Sequence, residues 1–277
     1  LTGDDYGPVS SEPTVSVKRG SPLEKSAGDY DSKSQTITWE VKYNYDEKVI
    51  EAGRAKLTDT FGDNQLLVFD GLPKEGFIVE QVEINPETGA EIGSTEVDNF
   101  HVVETENGFE LTFNEQIEHA YKITYQTTAD ERVEEGATIS NRIEDEFGNN
   151  KTSSQWINQG VFRKSFNNDM NYDKKSASWT MRLNSDEKTM DGVEILDTLP
   201  KGFTPRDVVV RHGNEDWTNG TEFTTTFSNN ELTIEFHQEI TKEVVITYHT
   251  DINFDETEPT ANGSFTNHAR LTWIVNG

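Results

Sequence analysis

Apolar residues along this 277-residue chain alternate with polar ones in short runs, and nowhere do they recur at helical spacing over three turns. Segments 15–17, 37–41, 109–113, 122–125, 178–183, 208–210, 232–236 and 244–248 alternate or are rich in β-branched and aromatic residues, so each is predicted as a strand. Turn-forming clusters separate them, at Asn107-Gly108, Phe147-Gly148-Asn149-Asn150, Asn219-Gly220 and Asn229-Asn230. One short helical turn is expected over 130–136. Strands of this length between such turns predict sandwiches rather than parallel sheets crossed by helices.

The pattern occurs twice. T-I-T-W-E-V-K-Y-N at 36–44 returns as S-A-S-W-T-M-R-L-N at 176–184. An Asp-Thr pair follows each (Asp59-Thr60, Asp197-Thr198), then E-L-T-apolar at 110–113 and 231–234, then I-T-Y-x-T at 123–127 and 246–250. Each copy ends on an Asn in a short predicted strand, 139–141 and 265–267. Five landmarks in one order mean tandem homologous domains. The expected division is a Gly-, Ser-, Pro- and Asp-rich linker over 1–13, a domain over 14–152 and a second over 153–277, with the junction in the Gly-, Asn-, Lys- and Ser-rich stretch between 145 and 158. Two domains of that size each bury a real core.

Composition narrows the function. Fifty-one acidic against 24 basic side chains give a formal charge of −27, which argues against nucleic acid or an anionic lipid surface as partner. No apolar run is long enough to cross a bilayer and no signal peptide is present, so any export or anchoring signal is expected outside the chain. Cysteine is absent. That fits a reducing compartment, or an exported β-protein stapled in another way.

Such a staple is readable in the residues. Each repeat opens on a predicted strand carrying a lysine, Lys18 after Val15-Ser16-Val17 and Lys164 after Val161-Phe162-Arg163, and closes on Asn141 or Asn267. Between them lies the Asp of the Asp-Thr pair, Asp59 or Asp197, at a strand end. Burial lowers a lysine pKa and raises that of an aspartic acid. A neutral amine beside a carboxamide, with a protonated acid to shuttle protons, is what a spontaneous intramolecular isopeptide bond requires. Lys25 is the neighbouring candidate, but its Leu-Glu-Lys-Ser-Ala setting reads as loop; Asp70 is a weaker candidate than Asp59 because it falls in an inserted loop. Edge-strand lysines that deter aggregation, Asn at turns and Asp at turn starts are the plainer readings of the same residues.

The ordered set of Lys, W-x-x-x-x-N, D-T, I-T-Y-x-T and Asn, present twice, resembles the collagen-binding adhesin domain family of Gram-positive cell-wall-anchored surface proteins, and both repeats look like the second domain type of the staphylococcal collagen adhesin. The resemblance spans roughly 14–277. It implies an all-β chain of two tandem variant immunoglobulin-like sandwiches, each with a Lys–Asn isopeptide bond between its first and last strands. Carried over, the bonds are Lys18–Asn141 and Lys164–Asn267, assisted by Asp59 and Asp197. It further implies an exported, wall-anchored protein whose partner is an extracellular matrix protein such as collagen, and a monomeric segment of a longer surface protein. Ten residues follow Asn267 (277 − 267), too few for the C-terminal latch of the staphylococcal protein. A passive stalk projecting a distal binding domain is therefore the alternative, and a carbohydrate-binding sandwich a third reading. Trp39 and Trp179 are expected in the core. Asp169-x-Asn171-x-Asp173 lacks the later Gly and Glu of a calcium loop, the six His residues lack metal-ligand spacing, and no Ser-His-Asp set or phosphate-cradling loop is present, so no cofactor, no metal and no enzymatic activity beyond the single-turnover bond are expected.

Overall fold

In T-I-T-W-E-V-K-Y every second side chain is apolar, and the segment forms strand β2 (Thr36–Tyr43) with Ile37, Trp39, Val41 and Tyr43 buried and the residues between them half-exposed. That period of two puts one face of the strand on a core and the other towards water. The structure, a computed structural model, describes residue 12 and residues 20–274. Lys18, the predicted strand 15–17 and most of the predicted linker lie outside the described residues, as do 275–277.

The first repeat folds as two antiparallel sheets. One has the order β1 (Leu23–Asp31), β2, β9 (Ala120–Ala129), β5 (Phe77–Ile84), β6 (Glu91–Glu96), with β4 (Gln65–Leu67) also against β9. The other has the order β11 (Asn150–Gly160), β10 (Glu135–Asp145), β3 (Lys56–Phe61), β8 (Gly108–Phe113), β7 (Phe100–Thr105). The second repeat repeats the plan with β12 (Phe162–Phe166), β13 (Ser176–Leu183), β19 (Val244–Ile252), β15 (Phe203–His212), β16 (Glu215–Trp217) facing β17 (Phe223–Ser228), β18 (Glu231–Phe236), β14 (Asp191–Thr198), β20 (His268–Ile274). Each pair of sheets encloses its own core, one built on Trp39, Tyr43, Phe109, Phe113 and Tyr125, the other on Met181, Ile195, Phe223, Ile246 and Tyr248. These are immunoglobulin-like sandwiches, as expected. The only helical element among the described residues is a 3-10 turn at Pro73–Gly76; the turn expected over 130–136 does not form.

Strand register carries the repeats into space. Trp39 pairs with Tyr125 and Val41 with Ile123; in the second sandwich Trp179 pairs with Tyr248 and Met181 with Ile246. The indole N–H of Trp39 donates to Thr127 Oγ1 at 2.8 Å and that of Trp179 to Thr250 Oγ1 at 3.1 Å, so both ends of the I-T-Y-x-T motif are tied to the tryptophan strand. Asn44 and Asn184, closing W-x-x-x-x-N, take left-handed backbone (φ 58° and 60°). Asparagine tolerates that backbone better than most residues, and each side-chain amide donates to one carbonyl across the following loop (Lys48 or Lys188) and one just before the neighbouring strand β9 or β19 (His119 or Lys242).

The expected junction between 145 and 158, and the boundary at 152/153, are corrected. Residues 146–149 are a hairpin turn, held by the N–H groups of Phe147 and Asn149 donating to Asp145 Oδ1 at 2.9 Å, and the chain returns as β11 beside β10. Ile157 of β11 is buried in the first core and Val161 in the second, so the chain passes between sandwiches at Gly160–Val161. Beside this crossing Arg132, from the β9–β10 loop, grips Asp186 of the second sandwich through both carboxylate oxygens at 2.7 Å and Asn184 Oδ1 at 2.9 Å. Gln35 Nε2 donates to the same Asp186 carboxylate at 3.3 Å.

Candidate functional site

β1 reads L-E-K-S-A-G-D-Y-D, and its inward positions fall to Leu23, Lys25 and Ala27. An amine thus occupies a place that would ordinarily be apolar, opposite Val41 on β2. Its side chain is 0% exposed, and so is that of Asp59, which projects from β3 on the facing sheet. Lys25 Nζ donates to Asp59 Oδ2 and to the hydroxyl of Tyr125. Tyr125 donates to Asp59 Oδ2 at 2.7 Å and accepts from Asn141 Nδ2 at 3.0 Å. One hydroxyl therefore touches amine, acid and carboxamide, using its single proton and both lone pairs. The ammonium also lies over the rings of Trp39 and Tyr125, at 5.3 and 5.1 Å from their centroids. Gly108 has no room for a β-carbon, which would strike the Asp59 carbonyl; the Asn107-Gly108 turn can thus close tightly beside the acid.

The second sandwich builds the same group. Lys164 on β12 faces Met181 as Lys25 faces Val41, and its amine donates to Asp197 Oδ1. Tyr248 donates to Asp197 Oδ2 at 2.5 Å and accepts from Asn267 Nδ2 at 3.0 Å. Lys164 sits over Trp179 and Tyr248 at 5.4 and 5.6 Å. This copy is more open: the Lys164 side chain is 10% exposed and Asn267 is half-buried, whereas Asn141 is buried.

Burial dominates the electrostatics. Desolvation pushes the Lys25 and Lys164 amines down to about 8, against the pull of Asp59 and Asp197 towards the charged form. Asp59 is raised by desolvation, although Lys25, Tyr125 and Asn141 oppose the shift. Tyr125 and Tyr248 are raised by burial and the adjacent carboxylates, so both phenols keep their protons. Asp59 Oδ1, Asn141 Oδ1 and Asn267 Oδ1 are buried acceptors without a donor. An orphaned acceptor in a dry site is costly.

Of the residues singled out from sequence, Asp59 and Asn141 come together, as do Lys164, Asp197 and Asn267. Lys18 lies outside the described residues, and the amine that meets Asp59 is that of Lys25. The loop expected around Lys25 is corrected to a strand: L-E-K-S-A lacks β-branched residues, but its alternation places Lys25 inward. Asn141 is in β10, the penultimate strand of its sandwich, because β11 follows it; Asn267 lies one residue before β20 rather than inside a strand at 265–267. Register still matches the two asparagines: Asn141 pairs with Phe61, two residues after Asp59, and one step beyond the His268–Thr198 pair sets Asn267 opposite Leu199, two after Asp197. Asp70 is exposed. Sequence reasoning missed Tyr125 and Tyr248, although the tyrosine of I-T-Y-x-T was the signal. Among the described residues no cluster of His, Cys, Asp or Glu could hold a metal, and Asp169 instead accepts the N–H of Ser178 at 2.9 Å. No helix among them is long and apolar enough to cross a membrane.

Comparison with known proteins places the first sandwich in a family. Residues 22–158 match the sequence model described as "Collagen binding domain". No curated protein matches the chain. Among solved structures, the collagen binding domain of surface protein RspB from Erysipelothrix rhusiopathiae is similar at 15% identity and a TM-score of 0.33, over 87% of this chain and 82% of that one. The collagen binding subdomain of the Enterococcus faecalis surface protein ACE is 17% identical, with a TM-score of 0.36, over 50% of this chain and 99% of its own. The collagen adhesin from S. aureus is 14% identical, with a TM-score of 0.29, over 92% and 86%. These superpositions are loose, and the assignment rests on the sequence match. Through residues 22–158 the chain belongs to the collagen-binding domain family found in Gram-positive surface adhesins.

Proposed function

We propose that this chain is the load-bearing and matrix-binding part of a Gram-positive cell-surface adhesin, and that each sandwich is closed by an isopeptide bond, Lys25–Asn141 in the first and Lys164–Asn267 in the second. The observation that carries the reading is the recurrence, in both sandwiches, of a lysine amine on a buried aspartate whose carboxylate is bridged to an asparagine amide by one tyrosine hydroxyl. The chemistry follows from burial. Lys25 passes a proton to Asp59, which its dry site favours in the neutral form. The neutral amine attacks the Asn141 side-chain carbonyl carbon, Asp59 hydrogen-bonds the developing oxyanion, and ammonia leaves. Holding the groups in contact supplies the effective concentration that the reaction lacks in solution. In the second sandwich Asp197 accepts from the Lys164 amine at the matching place.

Each bond would join facing sheets: β1 to β10, and β12 to the start of β20. Force entering at one sheet then leaves through covalent bonds instead of peeling strands apart. That suits a protein attached outside the cell wall and pulled by the matrix it holds, and the family of residues 22–158 supports collagen as that matrix partner. The Arg132–Asp186 grip favours a second reading, in which the sandwiches are stalk units that project a distal binding domain. Intact-mass spectrometry tests the bonds: the expected mass is two ammonia molecules below that of the sequence, and the full mass refutes them. Saturable binding to immobilised collagen, abolished by a surface substitution, is expected of an adhesin; a chain with both bonds and no matrix affinity is a stalk.

A further inference from the structure

Cross-linking needs a proton delivered to one nitrogen and withdrawn from another. The departing Asn141 nitrogen must gain a proton as its bond to carbon breaks, and the attacking Lys25 nitrogen must lose one. The Tyr125 hydroxyl is within hydrogen-bond reach of that nitrogen, at 3.0 Å, and alone among the described residues touches both nitrogens and the acid, because it also accepts from Lys25 Nζ and donates to Asp59. In the second sandwich the Tyr248 hydroxyl is 3.0 Å from Asn267 Nδ2 and 2.5 Å from Asp197, which itself accepts from Lys164. Resting on the isopeptide reading, we propose that Tyr125 and Tyr248 are catalytic residues of bond formation, each handing its hydroxyl proton to the departing amide nitrogen and recovering one from the attacking lysine.

The step balances without an added reagent. The Lys Nζ–Asn Cγ bond forms, the carbonyl π electrons move to Oδ1, and in the tetrahedral intermediate Nδ2 is no longer conjugated and becomes basic. The tyrosine O–H turns from the carboxylate to Nδ2 and transfers its proton. The Cγ–Nδ2 bond breaks, the carbonyl re-forms, and ammonia leaves. The phenolate is refilled at once, directly from Lys25 Nζ in the first sandwich and through Asp197 in the second. Burial keeps both phenols protonated beforehand, so each begins as a donor. A hydroxyl held solely for packing would not need to bridge the acid and the carboxamide in two sandwiches with different neighbours. Phe77 stacks on Tyr125 at 5.3 Å and Phe109 meets it edge-on at 4.9 Å, so the ring is positioned independently of its oxygen.

The test compares the unmodified chain with Tyr125→Phe and Tyr248→Phe, made by cell-free synthesis, quenched at intervals and read by intact mass, with peptide mapping to assign each bond. Folding is followed separately by tryptophan fluorescence. The unmodified chain should lose two ammonia molecules. Each Tyr→Phe chain should fold at the normal rate, form the bond of its other sandwich normally, and form its own on the order of 100-fold more slowly, the usual worth of a positioned proton donor. Normal bond formation in a folded Tyr→Phe chain overturns the tyrosine role and leaves the cross-link standing. Full mass in the unmodified chain overturns both. If one substitution prevents folding, the other sandwich decides the question.

Discussion

Replacing Lys25 by methionine keeps the apolar stem in the core and removes the amine, and the cost can be worked from the structure. The proposed bond joins positions 116 residues apart (141 − 25). By analogy with a disulfide closing a loop of that size, it removes denatured-state entropy worth about 4–5 kcal/mol. The substitution also strips Asp59, whose side chain is 0% exposed, of its cationic partner. That second cost is limited, because the carboxyl is already raised by burial and keeps the Tyr125 hydrogen bond at 2.7 Å, so it protonates rather than standing as an isolated buried charge. For a domain of this size the entropic loss alone lowers the melting temperature by roughly 10–30 °C. Differential scanning calorimetry should show this fall in the first sandwich's transition alone, and the deficit from the sequence mass should shrink from two ammonia molecules to one. Lys18→Ala is the control, expected to change neither quantity. If Lys25→Met retains the full ammonia deficit, or Lys18→Ala loses part of it, the cross-link has been assigned to the wrong lysine.

In Asn141→Ala the amine of Lys25 remains free and buried with a pKa near 8, below its ordinary 10.5, so the folded state holds fewer protons than the unfolded between those pH values. Stability should therefore rise with pH from about 8 to 10.5, by on the order of 3 kcal/mol, when urea midpoints are compared with those of Asn141→Ala/Lys25→Met; a flat difference contradicts a buried amine. Arg132→Ala leaves the Asp186 side chain, 0% exposed, with Gln35 as its remaining side-chain donor and should cost about 3–5 kcal/mol. Calorimetry should show the loss as a lower melting temperature, and a loss below about 1 kcal/mol would mean that the grip contributes no more than a surface ion pair.

The fold was legible wherever period-two alternation ran through apolar residues. β2 and β13 announce themselves by their tryptophans, and Asn44 and Asn184 by their spacing from them. β11 stayed hidden because N-K-T-S-S-Q is polar and mostly exposed at an outer edge, where pairing with β10 rather than burial makes the strand; the hairpin before it reads like a linker. Lys25 stayed hidden for the opposite reason: the position is inward, but its occupant is the residue type that pattern reading assigns to the outside. The aspartates were marked by their repeated Asp-Thr context. The tyrosines were visible as a repeat but not as chemistry, since a tyrosine in a buried strand announces only its ring. What the hydroxyl touches depends on strands 66 residues away for Asp59 and 16 for Asn141.

Because β11 ends at Gly160 and the next residue already belongs to the following core, the passage between the sandwiches contains no slack. A tether with a coiled spacer would yield first by straightening that spacer, damping a sudden tug. Here the crossing has no such spacer, and Arg132 is bonded to Asp186 beside it, so under the proposed load a tug would pass from one sandwich to the next without that damping. Under the load-bearing reading proposed above, such a pair would act as a strut of fixed length.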